Sequence, residues 1–293
     1  GLFLNIYFIV ILNMGVLGFL YSSMIIGTLF MFINHVYVYY LVGFHFKKSD
    51  AIDILKFSAP LLPGYIAMFF RLRTDRIILM KYLGLAQLGA YEMMLKFVSI
   101  LVFVVTDPLM NSWDVKRIEI CEKEEGPSYM SKMFTYHMAV SIFLGLVISL
   151  EIPLVLRLLT PNEFWVGSEI VAFAVLSRLA LDSYYHFYFG LIYSKITYKV
   201  SITQFVAAFL NILLNLFMIK YWGIMGAVIT STAVNALQAF MGYIMARKYY
   251  KIDFEWNKLS VMLCIVLIMY LAASKISLEG TTLSLWLTSA ISE

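Results

Sequence analysis

Ten apolar stretches, most of them near the length of a membrane span, are separated only by short polar segments. They run over roughly 1–12, 16–42, 54–80, 86–110, 134–156, 164–193, 200–220, 223–245, 259–276 and 281–293. A helix needs about 20 mostly apolar residues to cross a bilayer. Backbone in hydrocarbon must satisfy its own hydrogen bonds, so such runs fold as helices. The bulk numbers agree: 62% of residues are hydrophobic and 14% are charged, against about 25% charged in soluble domains. The expected fold is therefore all-α, a polytopic transmembrane bundle of about ten spans.

Charge sets the orientation. Alternate loops carry very different numbers of Lys and Arg. One set (43–53, 111–133, 194–199 and 246–258, with their flanks) holds Lys47, Lys48, Lys56, Lys116, Arg117, Lys123, Lys132, Lys195, Lys199, Arg247, Lys248, Lys251 and Lys258. The other holds Lys81, Arg157, Lys220 and Lys275. Basic loops stay in the cytoplasm, so the first set is expected there. The longest polar loop, 111–133, reads as a solvated amphipathic linker. The net charge of +4 is small and spread over loops, so nothing favours nucleic acid as a partner.

A short motif recurs. Phe3-Leu4-Asn5 precedes Gly15-Val-Leu-Gly18, and Phe209-Leu210-Asn211 precedes Gly223-Ile-Met-Gly226. In each, a helix ends, a glycine turn follows and a long helix begins. About six spans separate the copies. An even number preserves orientation, which points to parallel six-helix repeats about an axis along the membrane normal. On this reading 1–42 holds the last two helices of a first lobe, 43–53 is a cytoplasmic linker, 54–246 is the second six-helix lobe and 247–293 adds further helices. The natural protein is expected to extend upstream.

Ionisable groups inside spans are costly, by roughly 2.5–3.5 kcal/mol at a helix centre, so they mark candidate sites. The third span carries Arg71, Arg73 and Arg76 with one acid, Asp75, after Pro60-Leu-Leu-Pro63-Gly64, which can kink or unwind it. One carboxylate does not neutralise three guanidiniums, and the surplus suits a phosphate bound bidentately. Snorkelling to headgroups is the competing account. The fourth span holds Glu92 and Lys96 at i, i+4, which suits either an ion pair on one helix or a cavity pair. The sixth holds Arg178, Asp182 and His186 in one stripe, followed by the aromatic run 184–189, which suits an interface belt or sugar stacking. Asn211, Asn215, Asn235 and Gln238 suit interhelical hydrogen bonds. Cys121 and Cys264 read as free thiols. The four histidines are scattered, and no nucleophile elbow, P-loop, dinucleotide fingerprint or zincin motif occurs, so no enzyme, cofactor or metal is expected.

Several stretches resemble the polysaccharide flippases of the multidrug/oligosaccharidyl-lipid/polysaccharide exporter superfamily, including the O-antigen exporters. The first is Leu55-Lys56-Phe-Ser-Ala-Pro60-Leu-Leu-Pro63, then Thr74-Asp75-Arg76, then Tyr82-Leu-Gly84-Leu-Ala-Gln-Leu-Gly89-Ala-Tyr91. The second is Asn211-Ile-Leu-Leu-Asn215, then Tyr221-Trp-Gly223-Ile-Met-Gly226-Ala227. The resemblance implies a two-lobe transporter in the cytoplasmic membrane that moves a polyprenyl-pyrophosphate-linked glycan between leaflets by alternating access. It implies a cationic cavity of Arg71, Arg73, Arg76, Lys96 and Arg178, with Asp75, Glu92, Asp182 and His186 as charge partners. H+ or Na+ would be a coupling ion, membrane lipid the surround, and polysaccharide assembly proteins possible contacts. The alternatives are an ion-coupled drug or metabolite antiporter of the same superfamily, which would want surplus buried acids, and a membrane-embedded polymerase, which would want a large outer loop.

Overall fold

The computed structural model describes residues 2–43 and 46–278. The expected span at 281–293 lies outside them. Every regular element among the described residues is helical, and five helical runs are long and apolar enough to cross a membrane. These helices make the chain a membrane protein. It divides into two compact units, one ending at Leu55 and the other beginning at Lys56.

In the first unit, α1 (Leu2–Asn5) continues as a π-helical turn over Ile6–Ile11, and α2 spans Gly15–Val42. Asn13 and Gly15 adopt φ of 51° and 54°, a left-handed region open to Asn and Gly. The chain reverses there. Gly18 then packs so close that an added Cβ would lie 2.9 Å from the Phe8 backbone carbonyl. Ser22 closes the hairpin with a hydrogen bond to Asn5. The remaining faces of α2 expose apolar side chains almost all round. That pattern suits a helix surrounded by lipid or by other helices.

The boundary between the units falls within α3 (Lys48–Ser58). In the second unit a 3-10 turn at Ala59–Leu61 leads into α4 (Leu62–Leu101). The Pro60–Pro63 segment, expected to kink or unwind the helix, instead holds a 3-10 turn that passes directly into α4. Gly64 lets α4 meet α9 (Thr197–Arg247): a Cβ there would lie 2.7 Å from Ser201 Cα. The Ser201 hydroxyl hydrogen-bonds the Pro60 carbonyl.

Two glycines turn single long helices into hairpins. Gly84 sits at φ 83°, ψ −180° inside α4, a conformation essentially restricted to glycine. Tyr91 reaches Asp75 across it. Those residues bracket Gly84 nearly symmetrically, so the limbs 62–83 and 85–101 are antiparallel. Gly223, at φ 57°, does the same in α9. A Cβ on Gly226 would lie 2.1 Å from the Met218 carbonyl oxygen, whereas eight residues of straight helix would separate them by about 12 Å. The Gly-x-x-Gly turns at 15–18 and 223–226 therefore use one local device. The first glycine takes positive φ, and the second admits the backbone of the preceding helix.

The 111–133 segment is not a linker. α5 runs Asp107–Cys121 and α6 runs Gly126–Leu159, leaving four residues between them. Trp113 and Met130 are buried while Asp114, Lys116, Glu119 and Lys132 face outward. A polar composition is shared by loops and by helices on the outside of a bundle, which is why the segment reads as a linker in sequence. The sixth apolar stretch is likewise divided. A 3-10 segment at Asn162–Ile170 precedes α7 (Val171–Phe187) and the short α8 (Phe189–Tyr193). α10 covers Trp256–Leu278.

The core of this unit lies where α4, α6, α7 and α9 meet. It includes Leu79, Met94, Leu101, Phe134, Leu156, Val171 and Tyr184. Phe134, Phe187, Phe254 and Trp256 form an aromatic cluster at one end of α6 and α7.

Candidate functional site

The intramembrane charges fall into two groups on the second unit. The first lies on the α4 hairpin. Arg71 is only 7% exposed. Its Nη1 donates to Gln238 Oε1 of α9 at 2.8 Å, a neutral acceptor rather than a carboxylate. Asp75, equally buried, accepts a 2.7 Å bond from the Tyr91 hydroxyl and another from the Arg76 backbone amide at 2.8 Å. Arg76 is held from two sides. Its Nη1 lies 3.4 Å from Asp75 Oδ1, and its guanidinium forms an ion pair with Glu92 on the returning limb.

This pairing changes the charge balance inferred from one helix alone. Glu92 bonds Arg76, not Lys96, and Lys96 is exposed. Arg73 is also exposed, with its guanidinium 5.8 Å above the Phe69 ring on its own helix. The hairpin therefore offers two buried or half-buried arginines against two carboxylates. The third-span surplus of arginine over acid disappears because the second acid comes from sixteen residues further along.

The second group lies between α5 and α7. Arg178 Nη2 approaches Asp182 Oδ1 at 2.7 Å. Asp182 is fully buried, and its Oδ2 accepts from Thr106 at 3.1 Å. Thr106 ends a π-helical turn at Val102–Thr106, the kind of local defect that re-aims side chains at functional positions. His186 does not join this ion pair. Its Nε2 lies 2.8 Å from His137 Nδ1 of α6. Arg178, Asp182 and His186 do share one face of α7, but the ion pair stops at Asp182 and His186 bonds α6 instead.

Tyr184 and Tyr185 lie between the two groups. Tyr184 hydrogen-bonds Thr203 at 2.7 Å, with Gln238 nearby. Tyr185 faces both Arg71 and Arg178. A cavity of about 270 Å³ adjoins the second group, lined by Thr106, Asp107, Asp114, Arg117, Arg178, Tyr185 and Tyr188 among others. Arg117 pairs with Asp114 at 3.1 Å and lies 4.5 Å above the Phe189 ring. A separate apolar crevice of about 280 Å³ between α6, α7 and α10 is lined by residues such as Leu146, Phe173, Leu176, Leu263 and Leu267.

Of the nine residues singled out from sequence, the structure brings Arg71, Asp75, Arg76 and Glu92 together, and Arg178 with Asp182. It places His186 on His137 and leaves Arg73 and Lys96 exposed. Sequence reasoning undervalued Gln238, read as routine helix-to-helix bonding. It passed over Thr106, Asp114 and His137 and took Arg117 only as a loop charge. Arg117 and Asp114 were hidden in the supposed linker. His137 carried no signal, since its partner lies 49 residues away. Asn235 behaves as expected, bonding Ser177 on α7 through its carbonyl and hydroxyl oxygens at 3.1 and 3.0 Å. Asn215 instead bonds Asn211 within its own helix. Among the described residues, no cluster of three His, Cys, Asp or Glu side chains is placed to hold a metal ion.

No protein-family model, curated protein or solved structure matches the chain.

Proposed function

We propose that this chain belongs to a membrane transporter that translocates a polyprenyl-pyrophosphate-linked oligosaccharide across the cytoplasmic membrane. The single observation that carries the reading is Arg71. A guanidinium is kept in the interior of a helical bundle with a neutral amide as its hydrogen-bond acceptor. Structural charges in membranes pair with opposite charges where they can. A guanidinium on an amide keeps donors that an anionic headgroup can take over.

On this reading ten spans cross the bilayer, with the basic loops in the cytoplasm. The pyrophosphate engages Arg71 and Arg178, and the tyrosines between them face the sugar. The apolar crevice against α10 has the chemistry of the polyprenyl tail. Arg178 is held by an acid one turn away on its own helix. An exchange of that partner for a phosphate needs no backbone movement in α7.

A second reading has one observation in its favour. The acids Asp75 and Glu92 match Arg71 and Arg76, and Asp107, Asp114 and Asp182 outnumber Arg117 and Arg178 around the α5–α7 cavity. That surplus of acid suits an ion-coupled drug or metabolite antiporter better than it suits a purely cationic cavity.

The test is complementation. The full-length protein is expressed in cells lacking their own flippase, and surface polysaccharide is scored for wild type, Arg71→Met and Arg178→Met at matched protein levels. Restoration by wild type and a loss of at least tenfold in both variants is expected. Restoration by both variants sinks the anion-binding assignment. No restoration with any donor glycan moves the antiporter reading ahead.

A further inference from the structure

The contact between α6 and α7 contains more buried polar atoms than its hydrogen bonds account for. His137 is fully buried, and its Nε2 has no partner in the protein. Ser141, one turn along α6, is also fully buried with an unpartnered hydroxyl, and Arg178 Nε on α7 is buried without a partner. Asp182 Oδ1 meets Arg178 as an ion pair but lacks hydrogen-bond geometry. Buried polar atoms are rarely left this way, because each orphan loses its hydration without a replacement partner.

These atoms lie on one line. The two helices run antiparallel. Gly145 lies against Val175, Ser183 reaches Met138, and His137 meets His186. The same register places Ser141 level with residues 179–182. Arg178, Asp182 and His186 follow at one-turn intervals, a track of about 12 Å along α7. Each end adjoins a cavity. The α5–α7 cavity touches Arg178, and a smaller one of about 10 Å³, the size of a single water, touches His186. Arg117 lines both.

We propose that His137 and His186 form a proton-binding site at the inner end of a hydrated polar track along this seam. The pair shares one ring hydrogen between His137 Nδ1 and His186 Nε2. When His137 is the donor, its Nε2 carries a bare lone pair. A hydronium ion delivers its proton to that lone pair, forming one N–H bond and leaving water. The positive charge then spreads over both rings through the shared hydrogen bond. Water along the track satisfies Ser141 and the Arg178–Asp182 pair, and it connects the histidines to the cavities.

The surrounding charges are few. Arg117 from α5 and Arg178 from α7 oppose protonation, and each is offset by its own acid, Asp114 and Asp182. Asp107 faces Asp182 from the start of α5. The rest of the shell against the rings is aromatic: Phe134 on α6, with Phe187, Phe254 and Trp256 behind it. Glu255 stands beyond it, bonded to Lys258 and Thr135. In the transport reading above, this site makes the proton the coupling ion. That use rests on the reading, whereas proton binding itself does not.

The experiment is solid-state NMR of the full chain in lipid nanodiscs, with histidine labelled at both ring nitrogens, between pH 3 and pH 8. Assignment uses His137→Gln and His186→Gln. The expected result is a nitrogen–nitrogen coupling across the shared hydrogen bond, with both rings titrating together and gaining about one proton in total. Ser141→Ala should slow exchange with solvent while leaving the coupling. Rings that stay neutral over the whole range overturn the proposal, and so do rings that titrate independently. The wild-type spectra alone decide this, even if a glutamine variant does not fold. Titrating histidines with failed complementation would keep the proton site and sink the flippase. Inert histidines with successful complementation would do the reverse.

Discussion

Replacing Gln238 with leucine removes the acceptor that holds the buried Arg71 guanidinium. Both side chains are almost inaccessible, Gln238 at 3% and Arg71 at 7%, so bulk solvent does not readily restore the bond. A hydrogen bond to a charged group contributes about 1.5–3 kcal/mol net, and stranding a buried charge costs about 3–5 kcal/mol. Arg71 keeps the Asp75 carboxylate one turn away on its own helix, so the lower part of that span applies. A loss of roughly 2–3 kcal/mol is expected. Arg71→Met leaves an orphaned acceptor instead. The orphan is a neutral amide oxygen rather than a buried charge, so the loss should be smaller, about 1–2 kcal/mol. The double variant removes both halves of the bond and should cost less than the sum of the singles, with a coupling of about 1–2 kcal/mol. The assay is a double-mutant cycle from reversible unfolding of the full chain in mixed detergent. Single-variant costs that add within about 0.5 kcal/mol would falsify the argument. Arg71 would then be satisfied by another group, and Gln238 would be incidental.

Two further outcomes follow from the same geometry. Gly226→Ala forces a methyl group against the Met218 carbonyl, with a Cβ distance of 2.1 Å, whereas at Gly27 nothing lies within 4 Å. The first should destabilise by about 1–3 kcal/mol or more. The second should be neutral or stabilising by up to about 1 kcal/mol. Equal melting temperatures for the two would contradict the hairpin at Gly223. Tyr250 lies in the turn between α9 and α10, where burial, with Cys121 and Tyr193 nearby, pushes its phenol up to about 12. A pKa raised in the folded state means its contribution is intact below pH 10 and declines as pH rises from 10 toward 12. Tyr250→Phe should therefore lose less stability than wild type across that window in alkaline unfolding curves, and identical curves would refute the assignment.

Some features were legible because they depend on residues close together in the chain. Gly15 and Gly223 are readable as turns because only the local backbone must take positive φ there. Arg178 and Asp182 are readable as neighbours because a helix repeats every 3.6 residues. The same rule paired Glu92 with Lys96, and there it failed. Glu92 has two candidate cations, and the turn at Gly84 brings the more distant one, Arg76, into closer contact. The 111–133 segment failed for another reason. Its charged composition is shared by loops and by helices on the outside of a bundle, and composition alone does not separate the two.

The amino-acid sequence by itself determined the solvent and the element type. So many apolar residues in long runs require lipid, and lipid requires backbone hydrogen bonds within each helix. It also determined which charges would be unusual. Only the tertiary structure decided what those charges touch. Arg71 meets Gln238 from 167 residues away, Thr106 meets Asp182 from 76, and His137 meets His186 from 49. Helical periodicity carries no information at such separations. The partners are chosen by how the glycine hairpins fold α4 and α9 and by the register in which α6 lies against α7. That register is set by the packing of uncharged side chains, and the polar atoms along the seam follow it.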